Sequence, residues 1–229
     1  GSEEIAGESR GHITKAEIDQ MYPDWPLIEI HSVGPDGMTC SCPRGRSCKS
    51  PGKHPRGKDW ESSKRMDVAA VLGRRKRANI GVLTGAPAGF WVLDIDAAGM
   101  APMAEFVAEY GALPATRVHK TGGGTFHYFF AMPDFDVTNR RGDLPAGIDA
   151  RGTGGQVVLP PSVSAKGTYE VVVEADIAPA PDWLLDLIRP KDGDDEPTFN
   201  EPVEKPAPDA PIVPLDAFDD FFGAVPEQS

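Results

Sequence analysis

Two aspartates close the apolar run Phe90-Trp91-Val92-Leu93-Asp94-Ile95-Asp96. Residues i and i+2 of a strand project from one face, so these carboxylates would lie side by side, each disfavouring the other's ionised form. Such a pair calls for a compensating cation, and hard oxygen ligands suit Mg²⁺ or Mn²⁺. A third acid, Asp149, follows another short apolar step in Gly147-Ile148-Asp149-Ala150-Arg151-Gly152. Three carboxylates could hold two divalent ions that activate a 3′-hydroxyl and neutralise a triphosphate. The plainer reading makes Asp94 and Asp96 turn formers that cap the next helix.

Between these acids lies Lys120-Thr121-Gly122-Gly123-Gly124-Thr125-Phe126-His127-Tyr128-Phe129-Phe130. Three glycines let the backbone approach a ligand closely. If the segment from Thr125 is a strand, Thr125 and His127 share one face, and Phe126 and Tyr128 take the other. A polar face beside a glycine turn and a lysine could receive a phosphate. Alternatively, His127 is a hydrogen-bonded core residue, the commoner fate of a histidine in an apolar strand.

Cys40-x-Cys42-x₅-Cys48-x₅-His54 gathers four soft or borderline ligands within fifteen residues. Zinc takes four such ligands tetrahedrally, and a site closed by four protein ligands is structural. Pro43, Gly45, Pro51 and Gly52 supply turns for folding a short loop around an ion. His31 is an alternative fourth ligand, and three unrelated cysteines in a loop are the alternative to a metal site. An odd cysteine count, so clustered, argues against a disulfide framework.

Regular elements must position these groups. Thr14 and Glu17 form a capping box for a short helix through about Met21. Strands are expected at 27–31, 80–83, 90–95, 116–120, 125–132, 156–159 and 169–173. Helices are expected at 66–77, 100–110 and 181–188, the second closed by Gly111. Strands and helices mix without a βαβ rhythm, which predicts an α+β fold with a mixed central sheet. Residues 1–24 read as a tag remnant, from Gly1-Ser2, and a short helix; 25–189 as the catalytic domain; 190–229 as an acidic, Pro-rich linker or tail.

The net charge of −12 is unevenly spread. Residues 190–229 hold two Lys against eleven Asp and Glu, whereas 43–77 hold twelve Lys and Arg against three acids. A locally basic stretch permits phosphate binding without requiring it, since a solvated helix and loop would look the same. The tail carries Leu215, Phe218 and Phe222 at helical spacing, an anionic segment with aromatic anchors that could cover a basic groove or dock a partner. No apolar run approaches a membrane span and the N-terminus is unlike a signal peptide, so a cytoplasmic protein is expected, with reduced thiols.

Taken in order, CSCPRGRSCKSPGKHP, NIGVLTG, FWVLDID, KTGGGTFHYFF and GIDARGTGGQVVLPPS resemble the primase-polymerase branch of the archaeo-eukaryotic primase superfamily, as found in phage and plasmid replication proteins. The resemblance runs from about Trp25 to Ile188. It implies a primase-type fold with an RRM-like catalytic half and a zinc stem. It further implies catalytic metal ligation by Asp94, Asp96 and Asp149, and contact of His127 with the nucleotide's phosphates, with Thr125 opening a small-x-His motif. Phosphate or template contacts are implied for Arg151 and, more loosely, for Lys120 and Lys166. The implied partners are single-stranded DNA, NTPs or dNTPs, and a helicase domain in a longer protein of which this chain would be a fragment. Two other classes use parts of the same inventory: a metal-dependent nuclease, and a zinc-containing single-strand binding module with no need of the three aspartates.

Overall fold

The apolar run Phe90–Ile95 is buried on both faces except at Asp94, as an interior strand must be. In the computed structural model, which describes residues 13–62, 64–75, 78–139 and 143–190, it is the third of ten strands. The helices are α1 (Lys15–Met21), α2 (Val68–Arg74), α3 (Met100–Tyr110) and α4 (Asp182–Ile188). The strands are β1 (Leu27–Ile30), β2 (Asn79–Leu83), β3 (Phe90–Ile95), β4 (Val118–Lys120), β5 (Phe126–Ala131), β6 (Ile148–Arg151), β7 (Gln156–Val158), β8 (Val163–Ser164), β9 (Gly167–Thr168) and β10 (Glu170–Val173).

Two sheets carry the molecule, in the orders β1-β2-β7 and β10-β4-β5-β3-β6, and β8 and β9 form a separate hairpin. The α+β expectation holds, but the single mixed sheet does not. Every named strand pair is antiparallel, and parallel contacts are confined to isolated bridges such as Phe130↔Ala178. The connectivity explains the difference. Helix α3 returns the chain so that β4 runs in the direction of β3, and β5 then inserts between them, antiparallel to both.

The larger sheet separates two cores. One face presents Trp91, Leu93, Ile95, Phe126, Tyr128 and Phe130 to Met103 of α3 and Leu184 and Ile188 of α4. The other presents Phe90, Val92 and Phe129 to Ile80, Val82 and Val157 of the smaller sheet, with Ile18 and Tyr22 closing that core. Strand alternation thus delivers Asp94 and His127 to the inter-sheet face, two residues beyond Val92 and before Phe129. Where the apolar filling stops, the sheets leave a cleft.

Local signals placed most ends. Thr14 caps α1 with the expected reciprocal bond from Glu17, and Gly111 ends α3 at φ 107°. Pro181 is the N-cap of α4 rather than part of its first turn. Strand β6 and the β8–β9 hairpin were not foreseen. The tag-like residues 1–12 and the tail residues 191–229, with Phe218 and Phe222, lie outside the described residues. Among the described residues no helix is long and apolar enough to cross a membrane.

Candidate active site

Antiparallel register makes Asp94 the centre of a polar row. Its Cα is opposite Asp149 on β6 and opposite His127 on β5, and His127 in turn is opposite His119 on β4. Directly paired positions share a face, so these side chains converge. Arg151 Nε and Nη2 donate to Asp94 Oδ2 at 3.2 and 3.0 Å, and Nη2 also reaches Asp149 Oδ2 at 3.2 Å. His127 Nε2 lies 3.5 Å from Asp94 Oδ1. Burial pushes the Asp94 carboxyl up, but the charges and hydrogen bonds of His127 and Arg151 outweigh it and hold the group well below the usual carboxylate range.

Asp96 behaves differently. It lies one residue past β3, exposed, and its Oδ1 accepts from the amides of Ala98 and Gly99 at 2.8 and 3.2 Å. It is therefore a turn former ahead of α3, as the plainer reading had it, while also lining the cleft with Asp94. Each of the pair has its own donors, Arg151 for Asp94 and two backbone amides for Asp96. Gly147 makes room for this turn: its φ is +89°, and a Cβ there would collide with Asp96 Oδ1 and the Gly99 amide.

The cleft has a volume of about 370 Å³, within the range of small-ligand sites. Asp94, Asp96 and His127 line one side, and the glycine turn contributes Thr121, Gly123 and Thr125. Thr121 and Thr125 hydroxyls are hydrogen-bonded at 2.9 Å, which closes the turn. Lys166, at the tip of the β8–β9 hairpin, runs its stem against Gly123, where an added Cβ would stand 3.5 Å from Lys166 Cδ. Tyr169 enters from the same side; burial, then the Asp94 charge, pushes its phenol up to about 12, so it is a hydrogen-bond donor at neutral pH. At the end of the row, His119 is fully buried and accepts from Arg117 Nε at 2.9 Å. Burial, then the charges of Arg117 and His127, push it far below the ordinary histidine range, so it stays neutral.

Of the residues singled out in the sequence, Asp94, Asp96, Thr125, His127, Arg151 and Lys166 line this cleft. Asp149 adjoins it through Arg151, and Lys120 ends β4 just before the glycine turn without lining the cleft. The three aspartates do not crowd into one tight cluster. Among the described residues, the group whose ligand atoms all lie within 4.8 Å of one another is Cys40, Cys42, Cys48 and His54. Lys53, Gln156 and Tyr169 also line the cleft and were not foreseen as site residues. Nothing in residue type marks them, since each comes from a loop or sheet edge whose approach depends on tertiary packing.

The Cys/His group lies on the loop after β1. Cys40 Sγ and Cys48 Sγ are each 3.5 Å from His54 Nε2. Tetrahedral zinc bonds of about 2.0–2.3 Å place ligand atoms roughly 3.3–3.8 Å apart, so the donor set and spacing fit zinc. His31 lies against His54 with ring centroids 4.6 Å apart and the rings tilted by 35°, and it hydrogen-bonds Ser41 Oγ at 3.0 Å, outside the ligand group. Arg56 of the same loop pairs with Glu29 of β1 at 3.1 Å, tying the loop to the smaller sheet.

This α+β protein with an acidic and basic cleft between two antiparallel sheets falls into a known class. The chain belongs to the Prim-Pol family: residues 20–183 match the family model for the N-terminal domain of bifunctional DNA primase/polymerases. No curated protein matches the chain. Membership implies nucleotidyl transfer in DNA replication, with DNA and nucleotides as substrates.

Proposed function

We propose that this chain carries out template-directed nucleotidyl transfer on single-stranded DNA, as primase and polymerase, at the cleft around Asp94. The observation that carries the reading is the register Asp149–Asp94–His127 across β6, β3 and β5, which sets acids beside phosphate-binding groups. The order β6-β3-β5-β4, with a helix joining β3 to β4, supports an RRM-like catalytic half within residues 25–189. Asp94, Asp96 and Asp149 offer hard oxygen donors that would hold divalent cations, Mg²⁺ or Mn²⁺. Bound there, these supply activation of a primer 3′-hydroxyl and charge neutralisation on the triphosphate.

The chain's own groups do the positioning. His127 Nε2 is directed into the cleft beside Asp94 and donates to a phosphate oxygen. Thr125 and the backbone of the glycine turn approach the same phosphates, and Lys166 adds charge from the hairpin. Arg151 pairs with Asp94 and Asp149 and also lines the cleft, so its guanidinium stands within reach of a triphosphate bound there. The Cys40, Cys42, Cys48 and His54 group holds a structural zinc that stiffens the basic loop.

The test is synthesis on single-stranded DNA, unprimed or carrying a labelled primer, with NTPs and dNTPs supplied separately. Primer formation and extension support the reading. Shortening of the labelled strand would make the site a nuclease, and binding without chemistry would make the chain a single-strand binding module.

A further inference from the structure

We infer that Lys53, carried by the Cys/His loop, is a binding residue for the polyphosphate of the incoming nucleotide. The metal loop would then build part of the nucleotide site. This deepens the function proposed above and rests on it. Lys53 lies between Cys48 and His54, within the basic stretch 43–77, where a solvated lysine is the ordinary expectation. Instead it is half-buried and lines the cleft with Asp94, His127, Arg151 and Lys166.

Its backbone is held from several sides. Gln156 Nε2 donates to the Lys53 carbonyl at 3.2 Å, and Asn79 Nδ2 donates to the Gly52 carbonyl at 3.0 Å. The His31 amide donates to the His54 carbonyl at 3.0 Å, and the Ala165 amide to the Pro51 carbonyl at 3.3 Å. Gly52 is pressed against the start of the hairpin, where a Cβ would stand 2.7 Å from the Val163 carbonyl oxygen. The point from which the side chain enters the cleft is thereby fixed, unlike that of an ordinary surface lysine. Preorganisation of this kind lowers the entropic cost of binding.

The charges point to the ligand. Lys166 is the like-charged neighbour of Lys53 and Asp94 its acidic one, and neither ammonium makes an ion pair among the described residues. Two ammonium groups facing one half-buried cleft repel each other, and a polyanion between them relieves that repulsion. A nucleoside triphosphate concentrates its charge on one short chain beside the carboxylates where cations bind. A DNA backbone spreads the same phosphate chemistry along a strand and suits the exposed outer face of the loop better than its inner side.

The experiment compares the unsubstituted chain, Lys53→Met and Lys53→Arg by calorimetric titration with dGTP, dGMP and an oligo(dT) strand, with circular dichroism and zinc content as checks on folding. Loss of one charge-assisted contact in Lys53→Met should weaken dGTP binding on the order of 10-fold or more. The change for dGMP should be smaller, that for oligo(dT) under about 3-fold, and Lys53→Arg should recover part of the loss. Unchanged dGTP affinity in Lys53→Met overturns the inference. So does a loss confined to oligo(dT), which would make Lys53 a template contact. If the unsubstituted chain binds no dGTP, the nucleotidyl-transfer reading itself falls. If it binds dGTP and only the Lys53 effect is missing, that reading stands without Lys53.

Discussion

Arg151 is shared by two carboxylates on neighbouring strands: it donates twice to Asp94 Oδ2 and once to Asp149 Oδ2, all at 3.0–3.2 Å. One guanidinium thus occupies the seam between β3 and β6 and balances two acids that strand pairing forces together. The same pairing gives a pH prediction. The folded Asp94 carboxyl titrates below its ordinary value of 3.8, so the pairing stabilises the fold above that pH. The contribution is lost as the pH falls through the lower folded value. In Arg151→Met the burial that pushes Asp94 up is less opposed, and the group should titrate at higher pH than in the unsubstituted chain. Carbon-detected NMR titration with chelator present checks this, and equal midpoints would refute the electrostatic role given to Arg151.

His127→Ala should weaken triphosphate binding on the order of 10-fold while leaving single-stranded DNA affinity nearly unchanged. His127 Nε2 faces Asp94 from within the cleft, away from the outer surface. Nucleotide titrations with unaltered affinity would return His127 to the role of a core residue beside Tyr169 and His119.

Protein purified without added metal should contain about one zinc per chain. Cys48→Ser should lose most of that zinc and unfold at lower temperature, because the loop is folded around Sγ–Nε2 contacts of 3.5 Å. Absence of zinc together with three freely titratable thiols would contradict the assignment.

Gly147→Ala tests whether Asp96 must hold its turn. A methyl group at φ +89° is strained, and it would press on Asp96 Oδ1 and the Gly99 amide. The cost to stability should be about 1–3 kcal/mol. Nucleotide joining should fall further than the folded fraction does, since displacing Asp96 disturbs a cleft carboxylate. Melting curves alongside rates separate the two effects, and normal rates would show that the Asp96 turn is dispensable.

Much of this site was legible because strand periodicity is rigid. Phe90–Ile95 and the alternation of Phe126, His127 and Tyr128 fix which side chains share a face, wherever the strands pair. The Cys/His spacing likewise anticipated the cluster that the loop gathers, with His54 rather than His31 among its four donors. What stayed hidden depends on contacts between distant segments. Strand β6, Ile148–Arg151, carries two charged side chains in four residues and lacks an apolar run, so it acquires strand character from pairing with β3. The entry of Lys53 into the cleft depends on Gln156 and Asn79, 103 and 27 residues from the groups they bind. The antiparallel character of the larger sheet depends on where β5 inserts, a choice made by packing and not by local propensity. Asp96 shows a further limit: the i, i+2 rule applies within a strand, and β3 ends one residue too soon.

The central claim is that the Asp94 cleft performs nucleotidyl transfer, and extension of a labelled primer on single-stranded DNA by Asp94→Asn tests it most directly. Removing this carboxylate should cost several kcal/mol of transition-state stabilisation, or ~10³-fold or more in rate, in Mg²⁺ or Mn²⁺ alike. Circular dichroism should change little, because asparagine keeps the shape of the side chain and an oxygen for Arg151. Asp96→Asn should behave in the same way. Extension by both variants at rates near that of the unsubstituted chain would contradict the account, as would an unsubstituted chain that extends no primer.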